Sequence, residues 1–282
     1  MPRRLLLLPF ILICVQCGLV AADPLRVVAT IKPLQMIATA VAGQGATVDS
    51  LLDPRLSPHD YQLKPSDRIK LERADIVFWV GPGLELFLQQ ALRTLPGQVQ
   101  VTALQPHGNH EQDAHIWMNP VAAAEIAGQM ATALAALDPQ RAADYRTNAA
   151  RIQAALTIVD GELQREFGSI TRRRGYLVSH DAFARLEQRY GVQHVAALSD
   201  GHERPPGPRH LLQLRELVSS GQVGCVLLEP QYDRKLVDTV VQDSRIKQVV
   251  VDTLAGSDAA DVDGLLSFYR GLGKSLAQCV RD

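Results

Sequence analysis

Short apolar runs alternate along this chain with longer segments of helical periodicity. The runs at 25–30 (LRVVAT) and 75–80 (DIVFWV) predict buried strands, and the apolar spacing after Pro33 predicts a helix. The same order returns in the second half, with predicted strands at 175–179 and 223–228. Strands that alternate with helices form a parallel sheet covered by helices, because parallel neighbours need a crossover connection. The alternation therefore predicts an α/β fold.

A long uninterrupted helical pattern divides the alternation into two parts. From Gln140 to about Phe167 the chain is charged on one side and apolar at positions such as Ile152 and Val159. We interpret this segment as one long helix that joins two lobes, each with a mostly parallel sheet flanked by helices. The predicted domains are an N-terminal α/β lobe at 23–138, a linking helix at 139–170 and a C-terminal α/β lobe at 171–282.

The first 22 residues have the composition of a secretory signal peptide. Two arginines precede an apolar run from Leu5 to Val20, and small residues follow it. The run is too short for a membrane span. We predict export to the periplasm as a soluble protein. A lipid anchor at Cys17 is the less favoured alternative, because the bulky Gln16 stands where a lipoprotein signal has a small residue.

The charge balance argues against two classes of partner. Two of the 29 Lys and Arg lie in the predicted signal peptide, which leaves 27 against 30 Asp and Glu and a formal net charge of −3. A nearly balanced, slightly acidic surface favours neither nucleic acid nor an anionic membrane surface. We therefore expect no nucleic-acid partner.

Two cysteines remain after the predicted signal peptide. Cys225 lies in the predicted strand at 223–228, and Cys279 lies near the end of the last predicted helix. An even pair in an oxidising compartment favours a disulfide, with two buried free thiols as the alternative. A bridge would hold that helix against its sheet and, by the chain-entropy relation, would stabilise the fold by about 4 kcal/mol. Metal ligation by cysteine is not expected.

Three histidines each follow a strand-like or apolar segment. They are His59 in SPHDYQLKPSD, His115 in DAHIWMNP and His180 in YLVSHDAF. In open α/β sheets, ligands bind beyond the carboxyl ends of the strands. Two facing lobes would bring the three imidazoles into the cleft between them. Three imidazoles favour zinc, copper or nickel over manganese, which prefers oxygen ligands. Glu229, at the end of CVLLEP, is a candidate acceptor for an imidazole N–H, and an ordinary strand-end carboxylate is the equally favoured alternative.

These motifs resemble those of the solute-binding proteins of ABC importers for zinc or manganese, and most closely the periplasmic zinc-binding ZnuA type. The resemblance covers nearly all of the chain after residue 22, and its strongest parts are HDYQLKPSD, ADIVFWVGPGLE, HIWMNP, SHDAF and CVLLEPQ. It implies two α/β lobes joined by one long helix, with a single metal at their interface. By the match, His59, His115 and His180 are the metal ligands, and Cys225 and Cys279 form a disulfide.

The function implied by this resemblance is a zinc receptor and not an enzyme. Such a protein captures Zn²⁺ outside the cytoplasmic membrane and delivers it to a membrane permease, and we expect it to be monomeric. A manganese-type receptor or adhesin is one alternative. A zinc hydrolase is another, because an open position on a three-histidine zinc can activate water. The chain lacks HExxH, which disfavours the hydrolase.

The resemblance leaves the fourth ligand open. Several relatives supply a carboxylate after the strand that here reads VVVD, and Ala255 occupies the place where that acidic residue stands. Asp258 or Asp252 could replace it through a shift of the loop. A water molecule could also complete the tetrahedron.

A short polar segment precedes His115. It contains His107 and His110 together with two acids, Glu111 and Asp113. Relatives of the zinc type often carry a much longer loop here, rich in histidine and acidic residues and thought to collect metal. Secondary metal capture by His107 and His110 is one interpretation. A plain surface loop is the other, and the composition favours it.

Overall fold

The computed structural model describes residues 23–106, 113–199, 206–232, 234–242 and 244–282. The predicted signal peptide with Cys17 and the segment with His107 and His110 lie outside these ranges. Statements about the fold below concern the described residues.

Helices and strands alternate as the sequence pattern predicts. The first sheet contains β1 (Leu25–Ala29), β2 (Ala46–Ser50), β3 (Ile76–Trp79) and β4 (Gln100–Ala103). Its helices are α1 (Lys32–Ala42), α2 (Pro65–Glu72), α3 (Gln89–Arg93) and α4 (Pro120–Leu137). After α5 (Ala142–Gly168) come β5 (Gly175–Val178), α6 (Ala184–Tyr190), β6 (Ala196–Ala197), α7 (Pro208–Ser219), β7 (Val223–Leu228), α8 (Arg234–Val241), β8 (Lys247–Val250) and α9 (Val262–Val280). We call β1 to α4 the first half and β5 to α9 the second half.

Both sheets have the same topology. The strand orders are β2-β1-β3-β4 and β6-β5-β7-β8. Every paired strand in them is parallel to its neighbour. The carboxyl ends of the strands therefore meet at one edge of each sheet, where ligand-binding loops are expected. This architecture confirms the predicted α/β fold with two parallel sheets flanked by helices.

Each sheet is covered on both faces. One large apolar core joins residues of both sheets with buried faces of α1, α4, α5 and α9. A smaller core fills the other face of the first sheet under α2 and α3, and another lies between the second sheet and α7 and α8. Strands buried on both faces read as continuous apolar runs, which explains DIVFWV and CVLLEP.

The predicted long helix is present as α5. A short 3₁₀ turn at Pro139–Arg141 leads into it, and its buried residues include Tyr145, Ile152, Leu156 and Val159. It packs against α1 and α4 of the first half and against α9 of the second half. The two sheets lie on either side of α5 in the sequence. The domain limits at 138 and 170 stay a prediction.

Helix α4 is alanine-rich because it is a core helix. Its start is fixed by the Asn119 side chain, which accepts a hydrogen bond from the Ala122 N–H at 2.8 Å, and by Pro120 in the first turn. Within the described residues it is the one helix long and apolar enough to span a membrane. Its face with Ile126 and Met130 is fully buried in the large core, as expected for a helix of a globular protein.

A disulfide links the second sheet to the last helix. Cys225 on β7 and Cys279 near the end of α9 are joined, with their Cα atoms 5.4 Å apart. Both residues are buried. The predicted bridge is therefore present, and it holds α9 against its own sheet.

Candidate metal centre

The three histidines singled out in the sequence lie together. The Nε2 atom of His115 is 3.2 Å from Nε2 of His59 and 3.2 Å from Nε2 of His180. Within the described part of the chain, these residues form the one group of His, Cys, Asp or Glu side chains close enough to share an ion. Tetrahedral zinc with Zn–N bonds of about 2.0–2.1 Å holds its nitrogens roughly 3.3–3.4 Å apart. The observed spacing fits such a site.

His59 is held by the loop that follows β2. Its backbone N–H donates to Ser57 Oγ at 3.1 Å. Farther along this loop, the Tyr61 hydroxyl and the Lys64 N–H both donate to Oδ2 of Asp67, at 2.7 and 2.9 Å. Asp67 is buried in the first turn of α2. The motif HDYQLKPSD is therefore a loop that hydrogen bonds hold to the start of a helix. The histidine is the first residue of this motif.

His115 is oriented by Asp113, two residues before it. Oδ1 of Asp113 accepts from both the backbone N–H and the ring Nδ1 of His115, each at 2.9 Å. Because a carboxylate can only accept here, Nδ1 carries the hydrogen, which leaves Nε2 as the nitrogen that can bind a metal ion. Burial opposes ionisation of Asp113, but the hydrogen bonds from His115 and the charge of Arg185 lower its pKa below the ordinary value.

His180 is oriented in the same way from the second half. Its Nδ1 donates to Oε2 of Glu229 at 2.5 Å, and Glu229 also accepts from the Thr253 hydroxyl at 2.8 Å. The backbone N–H of Glu229 donates to Ser179 Oγ at 2.9 Å. Tyr232 stacks on the His180 ring, with centroids 5.2 Å apart. These contacts confirm the predicted role of Glu229 as an imidazole acceptor.

The cavity at the three histidines is very small. Its volume is about 20 Å³. A space of ~10–15 Å³ holds one water molecule, so the cavity has room for an ion or a water molecule. Residues of both halves line it, including Ser57, Trp117, Gln231, Tyr232 and Leu254.

Neither of the predicted alternative carboxylates lines this cavity. The two oxygens of Asp252 accept from the backbone N–H groups of Leu254 and Ser257, at 3.1 and 3.3 Å. The chain turns at Ala255, which has a φ of 54°. Asp252 is thus used to shape its own loop. The backbone N–H of Asp258 donates to the Ala255 carbonyl in the same turn.

Several residues that build the site were missed by reasoning from the sequence. From the sequence alone, Asp113 is only an acid of a surface loop, and no pattern singles out Trp117, Tyr232 or Thr253. The spacing Asp-x-His at 113–115 is a signal that could have identified Asp113, because this spacing lets the carboxylate reach both N–H groups of the histidine. The others come from distant parts of the chain and carry no such local signal.

Comparisons with known proteins agree with the geometry. A family model described as zinc-uptake complex component A, periplasmic (ZnuA), matches residues 27–279. The high-affinity zinc uptake system protein ZnuA of Haemophilus ducreyi is 27% identical over 288 residues, covering 90% of this chain and 93% of its own.

Solved structures show the same fold. A crystal structure of ZnuA is similar with a TM-score of 0.80 and 20% identity, over 91% of this chain and 99% of that chain. The laminin-binding protein Lmb of Streptococcus agalactiae, described as bifunctional with adhesin and metal-transporting activity, has a TM-score of 0.79 and 21% identity. That match covers 91% of this chain and 99% of Lmb.

Proposed function

Because this chain belongs to the ZnuA family of periplasmic zinc-uptake components, we propose that it is the zinc receptor of an ABC importer. It captures Zn²⁺ outside the cytoplasmic membrane and delivers the ion to the permease. The observation that carries the proposal is the meeting of three imidazole Nε2 atoms, two pairs of which are 3.2 Å apart. Zn²⁺ is the cargo of this protein and not a resident cofactor.

The ligands are His59 and His115 from the first half and His180 from the second, and water completes the tetrahedron. The hydrogen bonds from Nδ1 of His115 and His180 to carboxylates support this assignment, since they direct Nε2 of each ring to the ion. The engagement of both Asp252 oxygens within its own loop supports water as the fourth ligand. We place this site in the cleft between an N-terminal lobe at 23–138 and a C-terminal lobe at 171–282.

Small cavity size favours a receptor over a zinc hydrolase. A hydrolase needs room beside its metal for a substrate and a general base, whereas this cavity has a volume of about 20 Å³. Its carboxylate, Glu229, is already engaged by His180 and Thr253. The all-imidazole ligand set disfavours a manganese-type receptor.

We further propose that residues 1–22 direct export, that Cys17 carries no lipid anchor, and that the mature protein is a periplasmic monomer.

A competition titration tests the proposal. Mature protein stripped of metal with a chelator is titrated with zinc in the presence and absence of excess manganese. We expect one tight zinc site per chain that manganese does not displace. Affinity falls below about pH 6.5, because zinc and protons compete for the imidazoles. Preference for manganese, or no tight binding of either metal, would contradict the proposal.

Single substitutions assign the ligands. His59→Ala and His180→Ala should each weaken zinc binding by more than about 100-fold, beyond the 10–100-fold typical of losing an outer hydrogen-bond partner. His210→Ala is the matched control, since His210 lies on α7 and its Nε2 is 2.9 Å from the Ala197 carbonyl oxygen. The control should bind zinc as the parent does.

A further inference from the structure

A charged pair crosses between the two halves beside the metal centre. Arg185, on α6, places its Nε 3.5 Å from Oδ2 of Asp113, and its Nη2 donates to the Asp113 carbonyl at 3.3 Å. Asp113 uses its other carboxylate oxygen, Oδ1, for the two hydrogen bonds to His115. The two oxygens of one carboxylate are therefore divided between a proposed ligand and an arginine of the other half.

Arg185 contacts the chain on both sides of His115. The guanidinium of Arg185 contacts Asp113, which precedes the histidine. The backbone carbonyl of Arg185 accepts a hydrogen bond at 3.3 Å from Nδ2 of Asn119, which follows the histidine. Arg185 also lies five residues after His180, in the first turns of the helix that follows this ligand. It therefore connects the segment that carries His115 with the segment that carries His180.

The pair is shielded from water. The side chains of Arg185 and Asp113 are 7% and 12% exposed. Separating a buried ion pair leaves each charge without compensation unless water replaces the partner. Because the two charges belong to different halves, their contact exists only while the halves are close together. Opening the halves would therefore free Asp113 from the arginine that holds it.

We propose that Arg185 is a positioning residue for His115, and that it slows the release of zinc by holding Asp113 in place across the two halves. The inference rests on the proposed function. Asp113 fixes the rotation of the His115 ring, and Arg185 fixes Asp113. When the halves separate, the ring loses this support at the same time as His180 moves away, so the site weakens in one step.

The test compares two arginines of the same helix. Arg185→Met removes the charge but keeps the length of the side chain. Arg189→Met is the matched control, because Arg189 pairs with Asp160 on α5, with Nε 2.8 Å from Oδ1, and does not touch the metal centre. Arg185→Lys restores the charge without the planar guanidinium. Asp113→Asn removes the opposite charge of the same ion pair, which belongs to the first half.

Two readouts are measured on metal-loaded mature protein. The first is the rate at which zinc passes to excess chelator, and the second is the visible absorption of the Co²⁺-loaded protein, which reports ligand geometry. We expect Arg185→Met and Asp113→Asn to release zinc about 10–100-fold faster, as is typical when an outer partner of a metal ligand is lost. The Co²⁺ spectrum should change in both variants and recover in part in Arg185→Lys. Arg189→Met should keep the release rate and the spectrum of the parent.

The outcomes separate the two proposals. If Arg185→Met releases zinc at the parental rate with an unchanged Co²⁺ spectrum, the positioning role is wrong although the receptor function stands. Equal changes in Arg185→Met and Arg189→Met would show a general loss of stability and would also overturn it. If the parent protein itself fails to bind zinc and Co²⁺, both proposals are wrong.

Discussion

At the scale of single residues, buried carboxylates hold together the loops at the carboxyl edges of the sheets. Glu85 is the clearest case in the first half. Its carboxylate accepts from the Gly81 N–H at 2.9 Å, from the Val80 N–H and from the hydroxyl of Thr30. It thereby ties the loop after β3 to the loop after β1. Burial raises the pKa of Glu85 to about 7, although these hydrogen bonds favour the charged form.

The raised pKa of Glu85 predicts a pH-dependent stability. In the unfolded chain this carboxyl titrates near 4.5, whereas in the folded protein it titrates near 7. Between these values the folded state binds more protons, so the free energy of unfolding falls as pH rises. In Glu85→Gln this contribution disappears. We expect the free energy of unfolding of the metal-free protein, measured with urea, to fall between pH 5 and pH 8. The fall should be about 2–3 kcal/mol smaller in the variant than in the parent.

An exposed glutamate provides the control for this experiment. Glu166, on α5, is 43% exposed and pairs with Arg281 at the surface. Glu166→Gln should keep the pH dependence of the parent. The interpretation of Glu85 would be wrong if Glu85→Gln and Glu166→Gln responded to pH alike.

At the scale of elements, close packing of α9 on α5 depends on a glycine. A Cβ atom placed on Gly273 would lie 2.2 Å from Cδ2 and 3.0 Å from Cγ of Leu163. Leu163 is buried in the large core, so it has little room to move. Gly271 lies two residues earlier in the same helix, where an added Cβ would meet nothing within 4 Å. There is therefore room for a larger side chain at Gly271 but not at Gly273.

Alanine at these two positions should change stability in opposite directions. Gly271→Ala should raise the free energy of unfolding by about 0.5–1 kcal/mol, because alanine restricts the unfolded chain and favours helix. Gly273→Ala gains the same propensity but overpacks the contact with Leu163, and should lower the free energy of unfolding by about 1–3 kcal/mol. Urea unfolding of both variants measures this. Stabilisation by both substitutions would show that α9 can shift away from α5 at little cost.

At the scale of the whole molecule, the site is completed by contacts between the halves. Nε2 of Gln231 donates to the Pro54 carbonyl at 2.7 Å, and Nζ of Lys32 donates to the Gly256 carbonyl at 3.1 Å. The buried indole N–H of Trp117 donates to the Thr253 carbonyl at 2.8 Å. Because the proposed ligands also come from both halves, metal binding should favour the conformation in which all these contacts are made.

Zinc should therefore protect both halves together. At about 100 times its dissociation constant, a ligand of the folded state adds about 2.7 kcal/mol to the free energy of unfolding. We expect zinc to slow hydrogen exchange in residues 51–63 of the first half and 229–232 of the second, and chelation to reverse it. In His180→Ala both segments should lose this response. Protection of the first half alone in that variant would contradict the coupling of the halves.

Local patterns in the sequence were enough to predict the fold class and to single out three histidines that lie together in the structure. Apolar runs and helical periodicity record which faces of each segment are buried, so β1, β3, β7 and the long α5 could be recognised one at a time. The segment Arg234–Val241, which forms α8, went unrecognised, because a single charged helical stretch of eight residues is too short for its period to stand out. Cys225 and Cys279 could be paired because only two cysteines follow the predicted signal peptide.

Tertiary structure alone decided how the site is assembled. Glu229 reaches His180 across 49 positions of sequence, and Trp117 reaches Thr253 across 136. The pairing of Asp113 with Arg185 spans the two halves in the same way. Such contacts depend on how sheets and helices pack, and no local periodicity encodes them. The position of Asp252 in the chain made it a candidate ligand, because the sequence does not show where its oxygens point. The turn at Ala255 instead directs both of its oxygens to the backbone of its own loop.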